Sequence, residues 1–292
     1  GQLEAYWALL QKKQVYRDLK PVHWSWATQT ALAEAELEYK DKTSTQVYVK
    51  YPLSPESAAK LGATKPAFAV IWTTTPWTLP ASLAITANEK FEYGLYEVDG
   101  EQWLLAQSLA EGLFKLIEKQ PQLGWQGKGS DLESLTAQHP FITERSVRFC
   151  TAPYVTADAG TGLVHTAPGH GVEDYVTGVR YKLEILCPVD ERGCYNDLVQ
   201  PIELKGKRVT DPATDEAVLE LLRAQGRLVH VVAGIGHRQR PAGLDQLRQV
   251  EALDVLHGQH QALTHAEGRV GGDDVGVVEL GRVADLAEEP LQ

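Results

Sequence analysis

The sequence predicts a mixed α/β fold, because strand-like and helix-like hydrophobic patterns alternate along most of its length. Apolar side chains make up 43% of the 292 residues, which is enough for one large domain or two smaller domains with buried cores. Two-residue alternation of β-branched and aromatic residues marks the strands, and apolar residues three and four positions apart mark the helices. No stretch approaches the roughly 18 consecutive apolar residues of a membrane-spanning helix.

The first predicted elements are a helix and an extended connector. Apolar residues recur at helical spacing over residues 2–14. Pro21 and the neighbouring aromatic residues favour an extended segment over residues 15–39. Strands are predicted at residues 47–51 and 68–72, and the second of them continues into consecutive threonines.

A hairpin and a second helix are predicted next. Asp99-Gly100 is a strong turn dipeptide between the strand-like residues 91–98 and 102–105. Residues 106–119 have the pattern of an amphipathic helix. Gly- and Gln-rich loops are expected after it, up to Ser130. The remaining predicted elements are an extended segment at 147–155, a short buried strand at 163–165, and helices at 173–181 and 215–224.

Composition changes after residue 230, and this change predicts a separate tail. Residues 231–292 contain no Lys, Phe, Trp, Tyr, Cys, Asn or Ser, so they lack aromatic anchors for a core. We expect this tail to be weakly folded or non-native in origin. The alternative is a small helical appendage built on apolar residues with helical spacing, namely Leu244, Leu247, Val250, Leu253 and Leu256.

Charge and cysteine content narrow the possible classes of protein. The net charge of −11 argues against a protein that coats nucleic acid, although it permits RNA contact through a local basic patch. Three cysteines form no closely spaced pair, and no secretion signal opens the chain, so a reduced, cytoplasmic setting is expected. A chain that begins at Gly1 and contains no methionine is expected to be a fragment or a processed form of a longer chain.

Two segments concentrate the residues that carry chemistry. Residues 158–175 read DAGTGLVHTAPGHGVEDY and combine glycine-enabled turns with two histidines and an acidic pair. Residues 72–82 read WTTTPWTLPAS and supply four threonine hydroxyls beside two tryptophans. Together they suggest a pocket that holds a small amino acid by its charged end and exposes its ester to water.

These segments, in this order, resemble the editing domain of bacterial-type isoleucyl-tRNA synthetases. The resemblance extends over roughly residues 1–230, and it also includes KPVHWSWATQTALAEAELEY, AVIWTTTPWTLPASLAI and PVDERGCYND. It implies a compact, barrel-like β core with peripheral helices. The implied parts are a connector from the catalytic core at 1–40, the editing domain at 41–210, a return helix region at 211–230 and the atypical tail at 231–292.

The resemblance implies hydrolytic proofreading of valine attached to isoleucine-accepting tRNA. Its partners would be the tRNA 3′ end that carries the wrong amino acid and the rest of the synthetase, with no membrane. The HIGH and KMSKS motifs of aminoacylation are absent, so this chain should not activate isoleucine with ATP. Editing is expected to need no cofactor, since ATP and Mg²⁺ serve the aminoacylation site. The alternative is a folded fragment that has lost productive tRNA binding.

The predicted catalytic residues combine an acid, a histidine and hydroxyls. From spacing alone, a helix cap or a solvated surface carboxylate is the more common role for Asp174, whereas the resemblance implies that it is the ammonium anchor. His165 follows an apolar pair, so its ring can orient a water or bind ribose, or it can be a hydrogen-bonded core histidine. Thr74 and Thr75 are the hydroxyls predicted to reach substrate.

Further substrate contacts are predicted around these residues. Strand neighbours alternate in direction, so at most two of three consecutive threonines face one pocket unless Pro76 ends the strand. Ser82 stands where the family often has Asn, and the tryptophans also fit the role of wall or core. The predicted substrate-binding residues are Thr73, Thr78, Ser82, Trp72, Gly162 and His170.

No metal site and no covalent route are predicted. His257, His260 and His265 form a loose cluster in the tail, but a structural zinc site normally requires four well-spaced ligands. No Ser–His–Asp or Cys–His arrangement suggests a protein nucleophile, so water is expected to attack the ester.

Overall fold

The structure is a computed structural model and describes residues 1–17, 21–42 and 44–232, with four short strands beyond them at 238–242, 252–256, 262–264 and 278–280. The α-helices of this part of the chain are α1 Gln2–Gln11, α2 Pro55–Lys60, α3 Gln107–Leu116, α4 Val172–Tyr181 and α5 Pro212–Ala224. Short 3₁₀ helices lie at Glu34–Glu36, Pro76–Ala81, Gly129–Ser134 and Ile202–Leu204.

The strands account for most of the regular structure. They are β1 Val15–Arg17, β2 Pro21–Ser25, β3 Thr30–Ala31, β4 Glu38–Lys42, β5 Gln46–Pro52, β6 Ala67–Thr73, β7 Ala84–Ala87, β8 Glu92–Val98, β9 Glu101–Ala106, β10 Gln122–Lys128, β11 Thr136–Gln138, β12 Ser146–Thr151, β13 Leu163–Thr166, β14 Leu228–Val232, β15 Arg238–Ala242, β16 Ala252–Leu256, β17 Ala262–Thr264 and β18 Val278–Leu280.

Two larger sheets form the β core. A six-stranded sheet has the order β10-β8-β9-β6-β5-β14, and a four-stranded sheet has the order β11-β12-β7-β13. Small sheets β1-β17-β18, β15-β4 and β16-β2-β3 accompany them. Among the described strands no sheet closes on itself. The prediction of a mixed α/β fold with a β core and peripheral helices is confirmed, with the core built from open sheets.

Successive side chains of β6 point to opposite faces of the six-stranded sheet, and both faces are buried. Ala69 and Ile71 belong to the main core, whereas Phe68 and Val70 belong to a second cluster on the other face. Helix α3 contributes side chains to the second cluster, so this face is buried as well. A sheet with both faces buried holds its strands in fixed register.

Several predicted elements are confirmed at or near their boundaries. The turn at Asp99 and Gly100 has φ of 49° and 83°, as a tight hairpin between β8 and β9 requires. Helix α5 is followed by Gly226 with φ of 63°, the left-handed conformation typical of a helix C-terminus. Among the described residues, no helix is both long and apolar enough to cross a membrane.

Other predictions are corrected by the structure. The loops expected before Ser130 contain β10, an edge strand whose Gln- and Gly-rich sequence shows no clear apolar alternation. Helix α2 and strand β7 were also not predicted, since one is short and the other is buried along its whole length. Residues 252–256 form a strand, not the helical appendage, and Leu244, Leu247 and Val250 lie outside the described residues.

Candidate active site

The threonine-rich segment changes from strand to 3₁₀ helix within three residues. Strand β6 ends at Thr73, and Thr75 is the residue before the 3₁₀ helix that starts at Pro76. The Oγ1 atoms of Thr73 and Thr75 lie 3.2 Å apart, and the Thr75 N–H donates to Thr73 Oγ1 at 3.1 Å. Because the strand ends here, a third hydroxyl, Thr78, joins them, with its Oγ1 3.4 Å from Thr75 Oγ1. We call Thr73, Thr75 and Thr78 the threonine row.

His165 extends the threonine row from the other sheet. Its Nε2 lies 3.2 Å from Thr78 Oγ1, and Thr78 Oγ1 donates to the Thr75 carbonyl at 2.8 Å. A hydroxyl carries one proton, so Nε2 is the donor to Thr78 and Nδ1 holds a lone pair. Nδ1 is buried and, among the described residues, has no hydrogen-bond partner. It is therefore an unsatisfied buried acceptor in the described part of the chain.

Burial keeps the imidazole of His165 uncharged near neutral pH. Desolvation lowers the pKa of His165 from 6.5 to about 4. Only 8% of the residue is exposed. The ring is therefore neutral near pH 7, where it can orient a bound group through hydrogen bonds but is a weak base.

Asp174 lies close to the same strand end. It is in the first turn of α4, where the helix dipole favours a negative charge. Its Oδ2 accepts the Ala167 N–H at 2.9 Å, and its Oδ1 accepts the Tyr154 hydroxyl at 3.3 Å. Ala167 is two residues beyond His165, so the carboxylate is held beside the end of β13.

His170 links the loop after β13 to the 3₁₀ helix of the threonine segment. Its ring meets that of Trp77 edge to face, with centroids 5.2 Å apart. His170 is 5% exposed, and Trp77 packs against the main core. Thr74 is half-buried beside the threonine row. The predicted substrate contacts of Thr74 and His170 stay predictions.

Ser82 and Trp72 do not join the threonine row. Ser82 is fully buried, and its Oγ accepts the Tyr51 hydroxyl at 3.0 Å. Trp72 packs with the second cluster, on the face of the six-stranded sheet opposite the main core. Its ring lies against Gly160, where a β-carbon would approach to 2.9 Å. Both side chains therefore have structural neighbours that account for their placement.

Gly162 has a structural explanation of the same kind. It has φ of 71°, and a β-carbon there would lie 2.5 Å from the β-carbon of Ala106. Its carbonyl accepts the Tyr93 hydroxyl at 2.6 Å. Glycine at this position lets the turn before β13 approach the end of β9, whereas the predicted substrate contact of Gly162 stays a prediction.

Sequence reasoning missed Tyr154, which touches the predicted anchor directly. It lies in the loop after β12, and no local pattern marks it. Among the described residues, no group of three His, Cys, Asp or Glu side chains is arranged to hold a metal ion. His257, His260 and His265 lie outside the described residues.

Comparison with known proteins identifies the family. The profile of class I tRNA synthetases (I, L, M and V) matches residues 1–210. The chain belongs to the class I tRNA synthetases. Isoleucine--tRNA ligase of Geobacillus thermodenitrificans is 43% identical over 199 residues, which cover 66% of this chain and 20% of the ligase. The ligase of Desulfitobacterium hafniense is 46% identical over 193 residues, which cover 66% of this chain and 21% of the ligase.

This synthetase chain thus spans about one fifth of the length of these relatives. The crystal structure of GlLeuRS-CP1 has a similar fold, with a TM-score of 0.50 at 13% identity, over 63% of this chain and 98% of that chain. The predicted kinship with isoleucyl-tRNA synthetases is confirmed by the sequence matches, and the fold is confirmed by the structural match.

Proposed function

We propose that this chain hydrolyses the ester of misacylated tRNA, with valine on the 3′ end of isoleucine-accepting tRNA as its substrate. The observation that carries the proposal is the contact between Thr78 Oγ1 and His165 Nε2 at 3.2 Å. This contact joins the two segments that the sequence singles out, although they are separated by 87 positions at this pair. Asp174 accepts the N–H of Ala167, two residues beyond His165.

The ammonium group of the substrate would bind Asp174. A carboxylate has about four acceptor positions, so the described bonds from Ala167 and Tyr154 are compatible with one to an ammonium group. Position in the first turn of α4 favours the charged form of the acid. In the same proposal, the hydroxyls of Thr74 and Thr75 contact the ribose or the developing oxyanion.

Water would attack the ester without a covalent enzyme intermediate. The water oxygen bonds to the carbonyl carbon, the bond from that carbon to the ribose oxygen breaks, and a proton passes to the ribose oxygen. His165, with a pKa of about 4, would hold the water or a ribose hydroxyl at its Nδ1 lone pair. It would act by orientation, since a base of such low pKa removes protons poorly.

Editing solves a problem of size selection. One methylene in an apolar pocket is worth about 1–3 kcal/mol, and isoleucine against valine at isoleucyl-tRNA synthetase is the standard example of this limit. A second site that admits the smaller amino acid and excludes the larger one restores fidelity. We assign that second site to the residues around the threonine row, His165 and Asp174.

The partners are the 3′ end of tRNA and the rest of the synthetase, and the reaction belongs in the cytoplasm. It consumes water and needs no cofactor, whereas ATP and Mg²⁺ would serve an aminoacylation site whose HIGH and KMSKS motifs are absent from this sequence.

The test is release of valine from valyl-tRNA by the purified chain. Asp174→Ala should lower kcat/KM by about 30-fold or more, since loss of one partner from a buried charge pair costs about 2–5 kcal/mol. Glu173→Ala is the matched control, because Glu173 is the neighbouring acid and is exposed. Release no faster than spontaneous hydrolysis, or equal losses in both variants, would contradict the proposal.

A second candidate is a folded domain that does not bind tRNA productively by itself. The net charge of −11 and the span of about one fifth of its relatives favour this alternative. It predicts normal unfolding behaviour and no tRNA affinity even at low salt, where phosphate contacts are strongest. Filter binding of tRNA at low and high salt separates the two candidates.

A further inference from the structure

The Asp174 carboxylate is held by more than its own helix. Its two oxygens accept from different donors, with the Ala167 N–H 2.9 Å from Oδ2 and the Tyr154 hydroxyl 3.3 Å from Oδ1. Gly171 closes a third side, because a β-carbon there would lie 3.3 Å from Asp174 Cγ and Oδ2. The residue after β13, the loop after β12 and helix α4 therefore meet at the Asp174 carboxylate.

Tyr154 lies beside a cluster of threonine hydroxyls. Burial raises the pKa of its phenol, and the nearby side chains of Thr86, Thr166 and Thr177 lower that pKa in part. Thr86 and Thr166 are fully buried, with their Oγ1 atoms 2.5 Å apart across the β7–β13 pair. The phenol thus lies between the sheet that carries His165 and the helix that carries Asp174.

The phenol of Tyr154 stays protonated and can therefore donate a hydrogen bond. Burial, first, and the nearby Asp174 charge, second, raise the pKa of Tyr154 to about 12. The hydroxyl therefore keeps its proton throughout the physiological range. It donates that proton to Asp174.

We propose that Tyr154 is a positioning residue that sets the rotation of the Asp174 carboxylate. The last torsion of an aspartate side chain is broad and roughly two-fold, so the bond from Ala167 to Oδ2 does not by itself define the plane of the carboxylate. A donor on the other oxygen, Oδ1, helps to define that plane and the direction of the carboxylate lone pairs. For the substrate, this inference rests on the proposed ammonium contact of Asp174.

The decisive variant is Tyr154→Phe, which keeps the ring and removes the hydroxyl. The matched control is Tyr181→Phe, since Tyr181 lies on the same helix as Asp174, and its hydroxyl bonds to Thr151 and Glu133. Two esters of the same tRNA serve as substrates: the valyl ester, and the ester of the α-hydroxy acid of the same shape, which lacks the ammonium group.

Tyr154→Phe should lower kcat/KM for the valyl ester about tenfold and leave the α-hydroxy ester nearly unchanged. Tyr181→Phe should leave both unchanged. A structural role alone would slow both esters equally, so equal losses overturn the inference. If the wild-type chain hydrolyses neither ester, the proposed function fails, and the next measurement still tests the positioning.

That measurement is a ¹³C titration of the Asp174 carboxyl group. Loss of a donor to the charged form should raise its titration midpoint by about one pH unit in Tyr154→Phe and leave it in place in Tyr181→Phe. If Tyr154→Phe does not fold, 3,5-difluorotyrosine at position 154 replaces it. This more acidic donor should lower the midpoint, and a midpoint unmoved by either change overturns the inference.

Discussion

Burial of His165 predicts a measurable loss of stability in mild acid. The pKa of this imidazole falls from 6.5 to about 4 on folding, because burial removes the charged form from water. Between these two pKa values the unfolded chain binds more protons than the folded chain. The stability that the neutral ring provides is therefore present above about pH 6.5, falls as the pH drops toward 4 and is lost below it.

The size of this loss follows from the two pKa values. At about pH 5 the unfolded imidazole is almost fully protonated and the folded one is mostly neutral, which costs about 2 kcal/mol relative to neutral pH. His139 should contribute a similar loss at this pH. Its pKa is lowered to about 3, chiefly by burial, and it is 1% exposed.

Urea unfolding at about pH 7.5 and about pH 5 measures the loss, and variants assign it. Between these two pH values, the free energy of unfolding of His165→Gln should fall by about 2 kcal/mol less than that of the wild type. This difference does not depend on how stable the variant is at neutral pH. His230→Gln removes a half-exposed imidazole of β14 and serves as the control. Equal losses in the wild type and His165→Gln would refute the assignment of a neutral, buried imidazole at this site.

Two further predictions concern the support of the site. Gly169→Ala would bring a β-carbon to 2.2 Å from the Leu186 carbonyl oxygen, so unfolding experiments should show a loss of about 3 kcal/mol or more. Gly112 lies on α3, and a β-carbon added there would have no neighbouring atom within 4 Å, so Gly112→Ala should stabilise the fold by about 0.5–1 kcal/mol. Equal changes in stability for Gly169→Ala and Gly112→Ala would contradict the packing argument. Tyr51→Phe removes the donor to the buried Ser82 Oγ and should lower the urea-derived stability by about 1–3 kcal/mol; an unchanged midpoint would show that this bond is unimportant.

Strands with local signals were predictable from the sequence. Residues 68–72 combine β-branched and aromatic side chains, and Asp99-Gly100 supplies the turn dipeptide, so β6 and the β8–β9 hairpin have local causes. Strand β7 has none, because all four of its residues are buried between β12 and β13. A short strand with both faces covered shows no alternation, and only tertiary packing identifies it.

Local sequence signals likewise indicated some residues of the candidate site and not others. Histidine, acid and threonines stand in recognisable segments, and the strand ends at Thr73, before Pro76, which is the condition that lets a third threonine join the row. Tyr154 stands in a loop without periodicity, 20 positions before the carboxylate that it contacts. Its role depends on how that loop crosses the sheet, so sequence spacing gives no signal for it.

The meeting of the two segments follows from the pairing of β7 with β13. The chain passes from the threonine segment through Ser82 directly into β7, and the N–H of Leu83 donates to the Thr166 carbonyl at 2.9 Å. Because the strands are antiparallel, the first residue of β7 lies opposite Thr166, and His165 lies opposite Ile85. A shift of this register by one residue would turn the imidazole to the opposite face of the sheet and separate it from Thr78. The buried pair of Thr86 and Thr166, which spans these two strands, therefore supports the register on which the site depends.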